Sequence, residues 1–142
     1  MIAYLDSSVL LRAALGEPGR LAQWDTVEQG VASALAEVEC LRTLDRLRLR
    51  GALGDAELAA RRQTVLQLLE AVELIPVAPQ VLRRAADPFP TPLGTLDALH
   101  LATALAWREA RGTALVLATH DVELGLAAEA CGLDVIGVGP GV

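Results

Sequence analysis

Four acidic residues, Asp6, Glu39, Asp97 and Asp121, stand where strand ends and first helical turns could present them to one place. Asp6 ends the apolar run Ile2–Leu5, and Asp121 closely follows a second apolar run at residues 114–118. Asp97 falls in the first turn of a helical stretch opened by Thr95, where free amides and the helix dipole favour a carboxylate. Glu39 lies one and a half turns into a helix that follows another strand, on a side from which it could reach inward. Carboxylates gathered at one point repel by about 1 kcal/mol per pair at 4 Å in water and about 4 kcal/mol at an effective dielectric of 20, so such a cluster calls for a cation. An all-oxygen donor set without His or Cys suits Mg²⁺, with Mn²⁺ as a substitute, rather than zinc. The chemistry that follows is hydrolysis of a phosphodiester, through one ion or a two-metal clamp.

Positioning these acids requires a regular alternation of strands and helices. Ile2–Leu5 reads as a buried strand and residues 8–15 as a helix. Residues 17–29 read as a second helix with Pro18 near its start. A short strand at 31–33 leads into an amphipathic helix over 34–50, with Leu35, Val38, Leu41 and Leu44 as its apolar face and Gly51 as its stop. Asp55 can cap the next helix, whose stripe is Leu58, Val65, Leu66 and Leu69. Val72–Ile75 is a third strand closed by Pro76, residues 81–86 a short helix, and residues 87–94, with three prolines, a loop. Thr95–Arg111 is a helix ended by Gly112, residues 114–118 a strand apolar on both faces, 122–131 a helix and 135–138 the last strand. The whole chain, 1–142, thus reads as one domain: a three-layer α/β/α sandwich around a central, mainly parallel sheet with right-handed crossovers. In such a sheet ligands bind outside the carboxyl ends of the strands, where strand order reverses.

Composition removes many alternatives. With 142 residues, 53% hydrophobic and 21% charged, the chain can bury a sizeable core and is not disordered. A net charge of -6 excludes a generally basic nucleic-acid-binding face, so any such contact must be local or carried by a metal. All basic residues are Arg, which excludes a P-loop and a Schiff-base lysine. Cys40 and Cys131 stand alone, without zinc or iron–sulfur spacing, and read as buried small hydrophobes. Neither a secretion leader nor an apolar run of roughly 18 residues is evident, and a cytoplasmic protein with no membrane span is expected. Trp24 and Trp107 are two of only four aromatic residues, too few for a base-stacking platform.

The segments YLDSSVLL (Tyr4 to Leu11), SALAEVECLRTL (Ser33 to Leu44), TLDALHLATA (Thr95 to Ala104) and LATHDVELGLAAEACGL (Leu117 to Leu133) resemble, in order and over essentially the whole chain, the PIN domain and within it the VapC-type toxins of toxin–antitoxin pairs. TLDALHLATA is the most specific of the four. The resemblance implies a Mg²⁺-dependent endoribonuclease whose acidic quartet is Asp6, Glu39, Asp97 and Asp121, with Asp6, Asp97 and Asp121 as metal ligands. It also implies supporting hydroxyls at Ser7 and Thr119, an RNA substrate and a homodimer. A cognate VapB-like antitoxin would lay its tail along the helices of residues 35–69 and offer a basic side chain to the acids. Glu37 competes with Glu39 for the quartet, but two helical positions are about 200° apart, so only one can face the site. Glu39 has the family spacing. After Asp121 stand Val122 and Glu123, where relatives often carry Arg, a departure from the family's pattern on that side.

Other residues admit blander readings. Asp6 and Asp121 can each be a helix cap, and Glu39 can pair Arg42 on the surface. His100, one turn after Asp97, reads as a hydrogen-bonded structural histidine sooner than a proton shuttle, and His120 as pointing away from the acids. Arg42, Arg46 and Arg50 recur every four residues on one helix face: either a solvated face or a contact surface for RNA phosphates or the antitoxin. The competing functions are a non-catalytic PIN-like interaction module and a PIN nuclease in RNA processing. A phosphatase or receiver domain matches at Asp6-Ser7-Ser8 alone and lacks its lysine.

Overall fold

The computed structural model describes residues 1–16 and 18–139. Five strands, β1 (Ile2–Leu5), β2 (Gln29–Ser33), β3 (Val72–Ile75), β4 (Val116–Ala118) and β5 (Asp134–Ile136), form one sheet in the order β3-β2-β1-β4-β5. Every neighbouring pair is parallel. Among the described residues six α-helices flank it: α1 (Ser7–Leu15), α2 (Leu35–Leu49), α3 (Asp55–Glu70), α4 (Pro79–Ala86), α5 (Thr95–Arg111) and α6 (Val122–Ala130).

The period-2 alternation of the strands sorts the core into two layers. Ala3 and Leu5, Ala32 and Ala118 face one side, where they pack with Val9 and Leu10 of α1, Cys40 and Leu44 of α2, and Val65 and Leu69 of α3. Tyr4, Val31 and Leu117 face the other side, against Leu101, Ala104 and Leu105 of α5 and Leu124, Ala127 and Ala128 of α6. Both faces of the central strands are therefore covered, as the uniformly apolar sequences of β1 and β4 require. The sandwich matches the expected fold class.

Three details differ from the sequence expectation. Of the expected helix over 17–29, Glu17 lies outside the described residues and residues 18–29 do not form a helix: a single 3₁₀ turn at Trp24–Thr26 is the only helical segment described there. The cause is the Pro18-Gly19 pair, since Pro has no amide to donate and Gly19 takes φ +93°, outside helical space. On α2 the inward stripe is Ala36, Cys40 and Leu44, spaced by four, which leaves Val38, about 200° from Ala36, 58% exposed. The last strand begins at Asp134 and stops before Gly137, whose φ of +99° ends the extended run.

Because β2 and β3 continue outward on one side of β1 while β4 and β5 lie on the other, strand order reverses between β1 and β4. The crevice outside their carboxyl ends is the fold's ready-made ligand position.

Candidate active site

Asp6 leaves β1 at that crevice and is 4% exposed. Its backbone amide donates to Ala118 O of β4 at 3.1 Å, tying the ends of the two central strands together. Asp6 is the N-cap of α1: Oδ1 accepts from the Ser7 amide at 2.8 Å. Oδ2 accepts from Ser8 Oγ and Thr119 Oγ1, each at 2.8 Å. Three donors on one buried carboxylate hold it in a single orientation. Thr119 Oγ1 in turn accepts from the Asp121 amide at 3.0 Å, and Ser8 Oγ accepts from the His120 amide at 3.1 Å. The turn after β4 is thereby fastened to the turn after β1.

Asp121 caps α6, with Oδ1 accepting from the Leu124 amide at 3.1 Å. Asp97 is in the first turn of α5. Burial, reinforced by the charges of Asp121 and Asp6, pushes its carboxyl up to about 6. Removal from water and the neighbouring carboxylates both disfavour its charged form.

Glu39 reaches the same place from α2. Its Oε2 accepts from Ser7 Oγ at 3.4 Å and its Oε1 meets His100 Nε2 at 2.5 Å. Glu37, by contrast, is exposed. His100 is fully buried, its Nδ1 2.6 Å from the Tyr4 hydroxyl and its Nε2 3.8 Å from Asp6 Oδ1. Burial works to lower the pKa of His100, but the hydrogen bond to Glu39 and the charges of Asp6, Glu39 and Asp97 outweigh it and raise the value. His120 turns away from the acids, its Nδ1 2.8 Å from Gly137 O.

A cavity of about 450 Å³ is lined by Asp6, Ser7, Ser8, Glu39, Gly94, Thr95, Leu96, Asp97 and Asp121. All four acids singled out from the sequence border it, and no arginine does. Among the described residues, no three His, Cys, Asp or Glu side chains are drawn into a ready-made metal cage. The carboxylates instead rim an open hollow, the arrangement Mg²⁺ tolerates because it keeps several waters and takes ligands from substrate phosphate. Along α2 a groove of about 420 Å³, lined by Leu35, Val38, Arg42, Thr43 and Arg46, shares Ser7, Glu39 and Leu96 with that cavity. Arg50 lies beyond the end of α2, exposed and outside both hollows.

Ser8 and Tyr4 were not singled out by sequence reasoning. Ser8 had a local signal, since a second hydroxyl two residues after a strand-end Asp can bond back to it. Tyr4 had none, because its partner is 96 positions away.

A family model described as PIN domain matches residues 3–129. Ribonuclease VapC46 of Mycobacterium tuberculosis is 35% identical over 137 residues, covering 94% of this chain and 95% of that protein. A toxin–antitoxin complex from Klebsiella pneumoniae contains a chain that superposes with a TM-score of 0.63 at 17% identity, covering 94% of this chain and 95% of that one. FitAcB from Neisseria gonorrhoeae superposes with a TM-score of 0.66 at 19% identity, covering 96% of each chain. At these identities the solved structures speak for the fold.

Proposed function

The chain belongs to the PIN domain family, and from that premise we propose that it is a Mg²⁺-dependent endoribonuclease, the toxin of a toxin–antitoxin pair. The observation that carries this reading is the hollow at the strand-order reversal, bordered by Asp6, Glu39, Asp97 and Asp121 and by no basic side chain. The name of the Mycobacterium tuberculosis relative, a ribonuclease, supports RNA as the substrate, and the Klebsiella pneumoniae neighbour, a toxin–antitoxin complex, supports an antitoxin partner.

The donor set fits a hard divalent ion. Asp6, Asp97 and Asp121 would hold it, and once bound Mg²⁺ or Mn²⁺ supplies polarisation of the phosphodiester and an acidified water. The remaining work belongs to the chain. Thr119, Ser8 and the Ser7 amide keep Asp6 in one orientation without neutralising it. Ser7 Oγ steadies Glu39, which we assign as the acceptor of the water's proton. Arg42 and Arg46, in the adjoining groove, would follow the RNA backbone, since a guanidinium fork matches phosphate, and Arg50 would extend the row.

The same groove suits the antitoxin. Val38 and Leu96, 58% and 50% exposed, offer apolar contact beside the acids, so a segment lying along α2 could place a basic side chain in the hollow. The protein would act as one nuclease domain in the cytoplasm, as a homodimer. Among the described residues no helix is long and apolar enough to cross a membrane.

Purified protein incubated with end-labelled RNA tests the reading. Cleavage at discrete positions with Mg²⁺, abolished by EDTA and by Asp6→Asn, is expected. Cleavage indifferent to both would contradict it.

A further inference from the structure

Resting on the nuclease reading above, we propose that Tyr4 and His100 form a buried strut that positions Glu39, so that His100 is a positioning residue for the reaction and not only part of the core. The two rings are fully buried between β1 and α5, with centroids 5.9 Å apart and planes at 72°. His100 Nε2 faces a carboxylate oxygen of Glu39 at 2.5 Å, and a carboxylate only accepts, so Nε2 carries hydrogen and donates. At the other end the Ser33 amide donates to the Tyr4 oxygen at 3.2 Å. The Tyr4 hydroxyl lies 2.6 Å from His100 Nδ1, a hydrogen bond that fixes the ring's orientation.

The consequence falls on Glu39. A carboxylate on an exposed helix face ordinarily samples several rotamers, yet this one is held at Oε1 by an imidazole that cannot swing, while Oε2 remains toward the hollow beside Ser7. An arginine in the same place would hold it too, but would cancel the charge that a proton acceptor needs. The chain has twelve basic residues, all Arg, and none lines the hollow. No guanidinium competes there, and Glu39 is steadied instead by a ring that a phenol holds in place.

Tyr4→Phe keeps the ring and removes the hydroxyl. The strut predicts a fall in kcat for RNA cleavage of roughly tenfold or more, the scale seen when an outer partner of a site residue is lost, with KM and Mn²⁺ affinity unchanged. In a Glu39→Gln background the same substitution should cause no further loss, because there is no carboxylate left to position. Undiminished kcat in Tyr4→Phe, or an equal fractional loss with and without Glu39, would overturn the inference. Nitrogen NMR of the His100 ring gives a readout independent of activity: the Nδ1 signal should move in Tyr4→Phe and the Nε2–H signal in Glu39→Gln. Ring signals that ignore both substitutions also overturn it. RNA left intact by the wild-type protein while the ring signals respond would defeat the nuclease reading and leave the coupling of the three residues standing.

Discussion

Thr119 Oγ1 donates to Asp6 Oδ2 at 2.8 Å across 113 positions of sequence, and the same oxygen accepts the amide of Asp121. One buried hydroxyl thus joins the ends of β1 and β4 and sets two acids relative to each other. Thr119→Val keeps the shape and removes the bond. It leaves the Asp121 amide unpaired and should lower stability by about 1–3 kcal/mol. Chemical denaturation measures this, and a loss near zero would mean that the turn is held by other contacts.

Burial first, then the charges of Asp121 and Asp6, raise the Asp97 carboxyl. Asp97→Asn removes one charge from the cluster, so the metal-free protein should melt no lower than the wild type, while the rise in Tm on adding Mn²⁺ shrinks. Nuclease activity should be lost in the same variant. A lower melting point without metal together with an intact metal response would contradict the electrostatic account.

The two cysteines should differ sharply in reactivity. Burial first, then the charges of Glu39 and Asp6, pushes the Cys40 thiol up to about 12, whereas Cys131 is half-buried at the end of α6. At neutral pH iodoacetamide should modify Cys131 alone, with Cys40 labelled only after unfolding. Mass spectrometry of tryptic peptides checks this; early labelling of Cys40 would show that α2 opens from the sheet.

Arg84 grips Glu109 with two hydrogen bonds, at 2.5 and 2.7 Å, and these hold the Glu109 carboxyl below its ordinary value. A depressed carboxyl contributes stability above its unfolded pKa and loses it as pH falls through the folded one. Glu109 is 54% exposed, so the pair is worth about 1 kcal/mol or less. The stability difference between wild type and Glu109→Gln should be present at neutral pH, be lost as pH falls below the ordinary carboxylate range and shrink in high salt. Urea titrations across that range measure it.

Gly137 follows β5 with φ +99°, and a Cβ there would lie 2.3 Å from the backbone oxygen of Thr119. Gly137→Ala must therefore displace the turn that carries Thr119 and Asp121. A destabilisation of at least about 1 kcal/mol is expected, with weaker metal binding. Wild-type stability in this variant would show that the two turns move independently.

What was legible in the sequence follows from how local each signal is. The run Ile2–Leu5 ended by Asp6, and the helix from Thr95 to Gly112, depend on neighbours in the chain, and their bounds were read closely. Over residues 18–29 Pro18 reads as a helix start, but Gly19 directly after it takes φ +93° and breaks the run. Val38 reads as core because it is apolar, but the turn of α2 leaves it exposed in the adjoining groove. Asp6, Asp97 and Asp121 could be located because strand ends and helix starts converge in a parallel sheet. Helical angle says only that one of Glu37 and Glu39 can face the site, and the choice of Glu39 rests on the family spacing. Tyr4 with His100, and Ser8 with the His120 amide, are joined through the fold between segments far apart in sequence, and no spacing announces them.

Calorimetric titration of Mn²⁺ into the purified protein bears most directly on the claim that these acids serve one divalent ion. Saturable binding in the wild type, lost in both Asp6→Asn and Asp97→Asn while circular dichroism stays unchanged, is the predicted result. An absence of saturable binding, or equal affinity in all three proteins, would contradict it.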